Sequence, residues 1–139
     1  MIHFFKEDVQ FRLLKQEELQ RWITAAVRQH RHTLEEINFI FCSDKYLLRL
    51  NKQFLQHDYF TDIITFDNST EKKKISGDIF ISIDSVHANA EKFKVQFKDE
   101  LHRVMIHGVL HLLGFSDKTK KEKAGMTELE NEWLAKRKF

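Results

Sequence analysis

Residues 104–117, with the sequence VMIHGVLHLLGFSD, decide the fold because the stretch 104–114 is apolar on nearly every side. Residues 104–113 form the second half of a helix that the pattern predicts from Lys98 to Leu113. A helix that is apolar all round has to be buried, so we expect this one to run through the core. Gly114 follows the last apolar residue and is predicted to end the helix.

Two histidines on this helix indicate a metal site. His107 and His111 lie one turn apart and about 40° apart around the helix axis, so both rings can reach one ion. Gly114 lets the chain turn back and bring Asp117 to the same face as a third ligand. The spacing H-x3-H-x5-D therefore predicts one zinc ion per chain, bound by His107, His111 and Asp117. A zinc ion with three protein ligands keeps a fourth position for water, which favours hydrolytic chemistry.

Two other interpretations of the histidine pair remain open. The rings could be ordinary core histidines, although burying two imidazoles one turn apart is costly unless something binds both. A zinc metallopeptidase has the same histidine spacing, with a glutamate after the first histidine as general base. Gly108 occupies that position here. A positioned base contributes about 10²–10⁴ in rate, so its absence makes peptide hydrolysis the second choice.

The segments before this helix alternate between strand and helix. Apolar residues spaced i, i+3, i+4 predict an amphipathic helix over about residues 16–30, after a short strand at Ile2–Phe5. Next come a strand around Ile37–Cys42, a helix capped by Ser43 or Asp44, and a strand over Asp62–Phe66.

The remaining segments complete a small sheet covered by helices. A fourth strand follows Gly77, and the polar stretch Asp67–Ser76 is short enough to join it to the third strand as a hairpin. Asp84 is predicted to cap the next helix, and Thr119 and Glu122 have capping-box spacing for the last one. The predicted fold class is α+β. It has a small mixed sheet of about four strands (β-α-β-α-β-β, then helices), with the metal-binding helix in the core.

Length and composition favour one domain over residues 1–139. The chain is 42% hydrophobic and 32% charged, which is ordinary for a globular protein. It has no apolar run near the ~20 residues that span a bilayer and no signal-peptide pattern, so we expect a cytoplasmic protein without a membrane partner. The single cysteine, Cys42, lies in an apolar run and is interpreted as a buried thiol rather than a nucleophile.

Positive charge is concentrated at the C-terminal end. The formal net charge is only +2, too small to mark the whole chain as a nucleic-acid binder. Residues 118–139, however, carry seven basic and four acidic side chains. A basic helix can follow a phosphate backbone, although a solvated helix face has the same composition.

Three stretches of the chain carry a resemblance to a known family. The segment HGVLHLLGFSD, residues 107–117, resembles the H-G-x-L-H-L-x-G-Y-D-H motif of the YbeY family of ribosome-maturation endoribonucleases. Residues 51–54 (NKQF) with 61–66 (TDIITF) are similar to its N-x-x-[YF]-R and T-D-V-L-S-F segments, and residues 77–81 (GDIFI) to its G-D-I-x-I.

The resemblance implies a zinc-dependent endoribonuclease that cleaves single-stranded RNA in ribosomal RNA maturation and ribosome quality control. Its implied partners are ribosomal RNA and ribosomal proteins. Two positions depart from the family pattern: Asp117 stands where the family has its third histidine, and Leu55 where it has an arginine. A non-catalytic zinc-binding assembly factor stays an alternative, although structural zinc normally has four protein ligands.

Four further residues are candidates for contacts with the site, and none is assigned as general base. Glu100 and Arg103 lie on a similar helix face to His107, but ordinary surface ion pairs explain them as well. Asp62 and Asp78 flank the predicted hairpin, either near the metal or simply at strand ends. The other histidines, His102 among them, have no ligand spacing and are predicted to lie at the surface.

Overall fold

The computed structural model describes residues 1–57 and 61–139, and within them it has four strands and five helices. The elements are β1 (Ile2–Lys6), α1 (Gln16–Gln29), β2 (Thr33–Cys42), α2 (Asp44–Leu55), β3 (Ile63–Asp67), β4 (Lys74–Ser82), α3 (Ile83–Phe93), α4 (Phe97–Leu112) and α5 (Lys120–Ala135).

The strands form one mixed sheet in the order β1-β2-β4-β3. β2 pairs in parallel with β1 and β4, since α1 and α2 carry the chain across between them. β3 and β4 pair antiparallel as the predicted hairpin, with Thr65 opposite Ile79. The predicted α+β class and strand count are confirmed.

α4 runs through the core, as its sequence predicts. Met105, Ile106, Val109 and Leu110 on this helix have no exposed surface. Its ends fall one residue from the predicted ones. The helix packs against the sheet on one side and against α3 and α5 on the other. This packing holds in place the backbone that carries its two histidines.

β4 begins earlier than predicted, at Lys74, so Gly77 lies inside the strand. A Cβ atom at this position would come within 2.7 Å of Leu112 Cδ2 and of the Phe66 carbonyl oxygen. Glycine is therefore required because the end of α4 and the neighbouring strand both approach the backbone here.

The cap predicted for α3 was wrong. Ser82, not Asp84, caps this helix, and its hydroxyl accepts a hydrogen bond from the Ser85 amide at 3.2 Å. Asp84 instead accepts a hydrogen bond from the Asp44 amide at 3.0 Å, which serves the first turn of α2. The predicted Ser43 cap of α2 and the Thr119–Glu122 capping box of α5 are both confirmed.

Cys42 is fully buried, as expected. Burial raises the pKa of its thiol to about 12, so the reactive thiolate is not populated at neutral pH. Among the described residues, no helix is both long enough and apolar enough to cross a membrane.

The surface position expected for His102 was wrong, because this residue is only 3% exposed. Its ring lies 6.0 Å from that of Trp22, and its Nδ1 accepts a hydrogen bond from Arg137 at 2.7 Å. Burial, together with the positive charge of Arg137, lowers the pKa of His102 to about 4. The folded protein therefore contains this imidazole in its neutral form.

We expect His102 to make the protein less stable in mild acid. Above pH 6.5 the imidazole is neutral in both the folded and unfolded states. Between pH 6.5 and about 4 only the unfolded chain takes up the proton, which lowers the free energy of unfolding by about 3 kcal/mol. Denaturant titrations of the parent and His102→Gln between pH 7.5 and pH 4 should show a shallower pH dependence in the variant. Parallel curves would contradict this assignment.

Candidate metal centre

The turn after α4 brings Asp117 back toward the histidines. Gly114 has φ of +101°, a left-handed conformation that favours glycine. Its amide donates to the His111 carbonyl at 3.0 Å, and the next amide, of Phe115, donates to the Leu110 carbonyl at 3.1 Å. These two bonds form a Schellman motif, which ends the helix and reverses the chain.

Three side-chain atoms converge after this turn. His107 Nε2 lies 3.0 Å from His111 Nε2 and 3.4 Å from Asp117 Oδ2, and His111 Nε2 lies 3.5 Å from the same oxygen. Ligand atoms arranged tetrahedrally around zinc are roughly 3.3–3.6 Å apart, so the observed triangle is close to a zinc-binding arrangement. The donor set of two imidazoles and one carboxylate also fits zinc. The three predicted residues could thus hold a metal ion together.

Glu130 of α5 joins the site, although no motif in the sequence pointed to it. Its Oε2 lies 2.6 Å from His107 Nδ1, and its Oε1 accepts a hydrogen bond from Arg103 at 2.8 Å. The residue is only 7% exposed. It follows His107 by 23 residues on another helix, so only the packing of α5 against α4 brings the two together.

Neighbouring acids change the pKa of His107. Burial by itself lowers it, but the hydrogen bond to Glu130 and the negative charges of Glu130, Asp117 and Asp62 outweigh burial, so the pKa of His107 is raised. Acidic groups therefore favour a positive charge at this position.

Two cavities adjoin the site: one of about 480 Å³ is lined by all three residues of the triangle, and one of about 300 Å³ by His107 and Asp117. Asp62, Ile63, His107 and Asp117 line both of them. The larger one extends to Leu55, which is 40% exposed. A separate cavity of about 560 Å³ between α1 and the end of α5 shares no described lining residue with these two.

The four further candidates, Asp62, Asp78, Glu100 and Arg103, differ in how they contact the site. Asp78 is a structural residue, since its carboxylate accepts hydrogen bonds from Asn38 at 2.9 Å and Asn68 at 3.1 Å. Glu100 lines only the smaller cavity. Arg103 reaches the site through Glu130 and is not a separate surface ion pair.

Asp62 lies in the walls of both cavities, just before β3. Its carbonyl accepts a hydrogen bond from the Ser82 amide at 3.0 Å, which fixes its backbone next to β4. Burial is the main reason that the pKa of its carboxyl group is raised, and the negative charges of Glu130 and Asp117 add to this.

The packing of α4 also explains why a glycine follows the first histidine. A Cβ atom on Gly108 would lie 2.9 Å from Ile79 Cγ2 and 3.1 Å from Ile63 Cδ1. The sheet occupies the space into which a glutamate side chain would extend. This observation argues against the peptidase alternative, because the base of that mechanism has no room here.

Comparison with known proteins finds relatives from a single family. The family model described as Endoribonuclease YbeY matches residues 2–138. The chain is 54% identical over 138 residues to the endoribonuclease YbeY of Cytophaga hutchinsonii, covering 99% of this chain and 96% of the relative. It is 48% identical over 134 residues to that of Parabacteroides distasonis, with coverages of 96% and 94%.

A solved structure shares the fold. The solution structure of a Thermotoga maritima protein superposes with a TM-score of 0.66 at 29% sequence identity, and the match covers 96% of this chain and 87% of the other. A family match over nearly every residue, together with relatives of this identity, leaves one conclusion: the chain belongs to the YbeY family of endoribonucleases.

Proposed function

We propose that residues 1–139 act as one zinc-dependent endoribonuclease domain that cleaves single-stranded ribosomal RNA during ribosome maturation. Membership of the family supports the endoribonuclease activity. The observation that carries the metal dependence is the triangle of His107 Nε2, His111 Nε2 and Asp117 Oδ2 beside two cavities. Ribosomal proteins are the partners expected to present the RNA.

Each part of the site has its own task in this proposal. His107, His111 and Asp117 hold the metal, and the cavity of about 480 Å³ admits the RNA backbone. When bound, zinc supplies a Lewis acid that polarises a phosphoryl oxygen and makes water more acidic. Three protein ligands leave room for substrate, which argues against a purely structural zinc.

Asp62 is the group best placed to accept the proton of the attacking water. Both oxygens of Glu130 are already bonded, and Glu100 lines only the smaller cavity. As the water oxygen bonds to phosphorus, its proton passes to the Asp62 carboxylate. The bond from phosphorus to the leaving ribose oxygen then breaks, that oxygen takes up a proton from solvent water in the open cavity, and Asp62 later returns its proton to solvent. A raised pKa makes Asp62 a stronger proton acceptor than an exposed aspartate.

The charge of the cavity walls makes RNA binding depend on the metal. Five of the described lining residues are acidic (Asp62, Asp67, Glu100, Asp117 and Glu130), whereas Arg103 is the only lysine or arginine among them. Without a bound cation these carboxylates repel the phosphate backbone of RNA.

A chelator is therefore expected to abolish RNA cleavage and to weaken RNA binding, and added zinc to restore both. The measurement is cleavage and binding of a single-stranded ribosomal RNA fragment, with casein as the control substrate. RNA cleavage that survives complete removal of metal would contradict the proposal. Zinc-restored casein cleavage without RNA cleavage would identify a peptidase instead.

Leu55 offers a test of how RNA reaches the site. This exposed side chain lines the larger cavity, whereas Arg49 is not among the described residues that line it and lies over the Tyr46 ring, 5.6 Å from its centre. We expect Leu55→Arg to bind RNA more tightly and to steepen the salt dependence of log K by about 0.7, the value for one added phosphate contact on a single strand. The matched control is Leu55→Gln, which removes the apolar side chain without adding charge. An unchanged slope in Leu55→Arg would show that the RNA does not pass this position.

A further inference from the structure

Glu130 is a buried acid whose two oxygens face two different partners. Oε2 lies 2.6 Å from His107 Nδ1, and Oε1 lies 2.8 Å from a guanidinium nitrogen of Arg103. The other terminal nitrogen of Arg103 donates to Asn131 Oδ1 at 2.6 Å. Both terminal nitrogens of the Arg103 guanidinium therefore have a partner, and so do both oxygens of the Glu130 carboxylate.

The direction of each hydrogen bond follows from the chemistry of these groups. Arginine can only donate, and an ionised carboxylate can only accept. The short contact between Oε2 and Nδ1 therefore requires a proton on His107 Nδ1. In the neutral ring this leaves the lone pair on Nε2, the atom that faces His111 and Asp117.

We propose that Glu130, held by Arg103, is a positioning residue that fixes His107 in the tautomer whose Nε2 binds the metal. This inference rests on the metal site proposed above. Metal-binding histidines commonly donate their second N–H to a carboxylate. In this protein a second residue takes part, because Arg103 decides which way any replacement for Glu130 has to turn.

The substitution Glu130→Gln shows why Arg103 matters. A glutamine amide offers one accepting oxygen and one donating nitrogen, and Arg103 can be satisfied only by the oxygen. The amide nitrogen then faces His107 Nδ1 and donates to it. His107 must in turn carry its proton on Nε2, directed at the metal position.

Replacing Arg103 as well releases this constraint. In the double variant Glu130→Gln with Arg103→Leu, the amide is free to turn its oxygen toward Nδ1–H. The tautomer that leaves Nε2 available is then restored. A merely structural role predicts the opposite, since removing a second buried contact can only loosen the site further.

The test is zinc affinity, measured by competition with a chromogenic chelator. We expect Glu130→Gln to bind zinc about 10–100-fold more weakly than the parent. The matched control Glu128→Gln, which changes an exposed acid of the same helix, should leave the affinity unchanged. The double variant should bind zinc more tightly than Glu130→Gln alone. Parental affinity in Glu130→Gln, or a double variant no tighter than the single one, would overturn the proposal.

A second measurement needs no variant and no metal. Nitrogen-15 spectra of the metal-free parent, recorded at a pH where the imidazole has lost its charge, should show His107 protonated at Nδ1. Protonation at Nε2 would overturn the proposal. If the parent binds no zinc at all, the metal site fails, whereas the tautomer is still decided by these spectra.

Discussion

Asp62→Asn is expected to lower kcat for RNA cleavage by about 10²–10⁴, the contribution of a positioned proton acceptor. The amide keeps the size of the carboxylate but cannot take the proton from the attacking water. The zinc affinity should not fall, because Asp62 is not one of the three convergent ligands. The measurement is steady-state cleavage of a ribosomal RNA fragment at saturating RNA and zinc.

Asp67→Asn is the matched control for this variant. Asp67 lines the same cavity but is exposed, so its substitution removes one negative charge without removing the proposed proton acceptor. We expect this control to retain kcat. Equal losses in both variants would show that cavity charge, rather than proton transfer, is what Asp62 supplies. Full activity in Asp62→Asn would remove it from the mechanism.

Asp117→Ala is expected to weaken zinc binding by more than the ~10–100-fold that follows loss of a residue bonded only to a ligand. Two imidazoles and water would remain, and RNA cleavage should fall with zinc occupancy. Zinc titration monitored together with cleavage provides the measurement.

Asp117→His separates loss of a ligand from loss of a charge. An imidazole at this position still binds zinc, so we expect zinc to be retained. It also removes one negative charge from an acidic cleft, so that phosphate approaches more easily and RNA is cleaved at least as fast as by the parent. Equal zinc affinity in the parent and Asp117→Ala would mean that this aspartate is an ordinary loop residue.

Most of the fold could be predicted because its signals are local. The apolar run around Met105 required a buried helix, and Thr119 with Glu122 formed the expected capping box. The cap of α3 could not be predicted, because Ser82 and Asp84 are both good capping residues. In the structure the carboxylate of Asp84 accepts a hydrogen bond from the Asp44 amide of the neighbouring helix α2, and Ser82 caps α3. His102 was misplaced because its burial comes from Trp22 and Arg137, both distant in sequence.

In the candidate site, too, the residues close in sequence could be predicted and the distant one could not. His107, His111 and Asp117 share one helix and its turn, so their convergence follows from helix geometry and Gly114. Glu130 lies on another helix, and an acid in a helix with many charged residues gives no signal of its own. The sequence offered only its spacing, four residues after Met126 and three before Trp133, which places it on the apolar face of α5 that the structure buries.

Anomalous diffraction at the zinc edge, from crystals grown with one equivalent of zinc, tests the central claim most directly. We expect a single strong peak per chain, about 2.0–2.2 Å from His107 Nε2, His111 Nε2 and an oxygen of Asp117. A peak at other residues, or none at this triangle in fully folded protein, would contradict it.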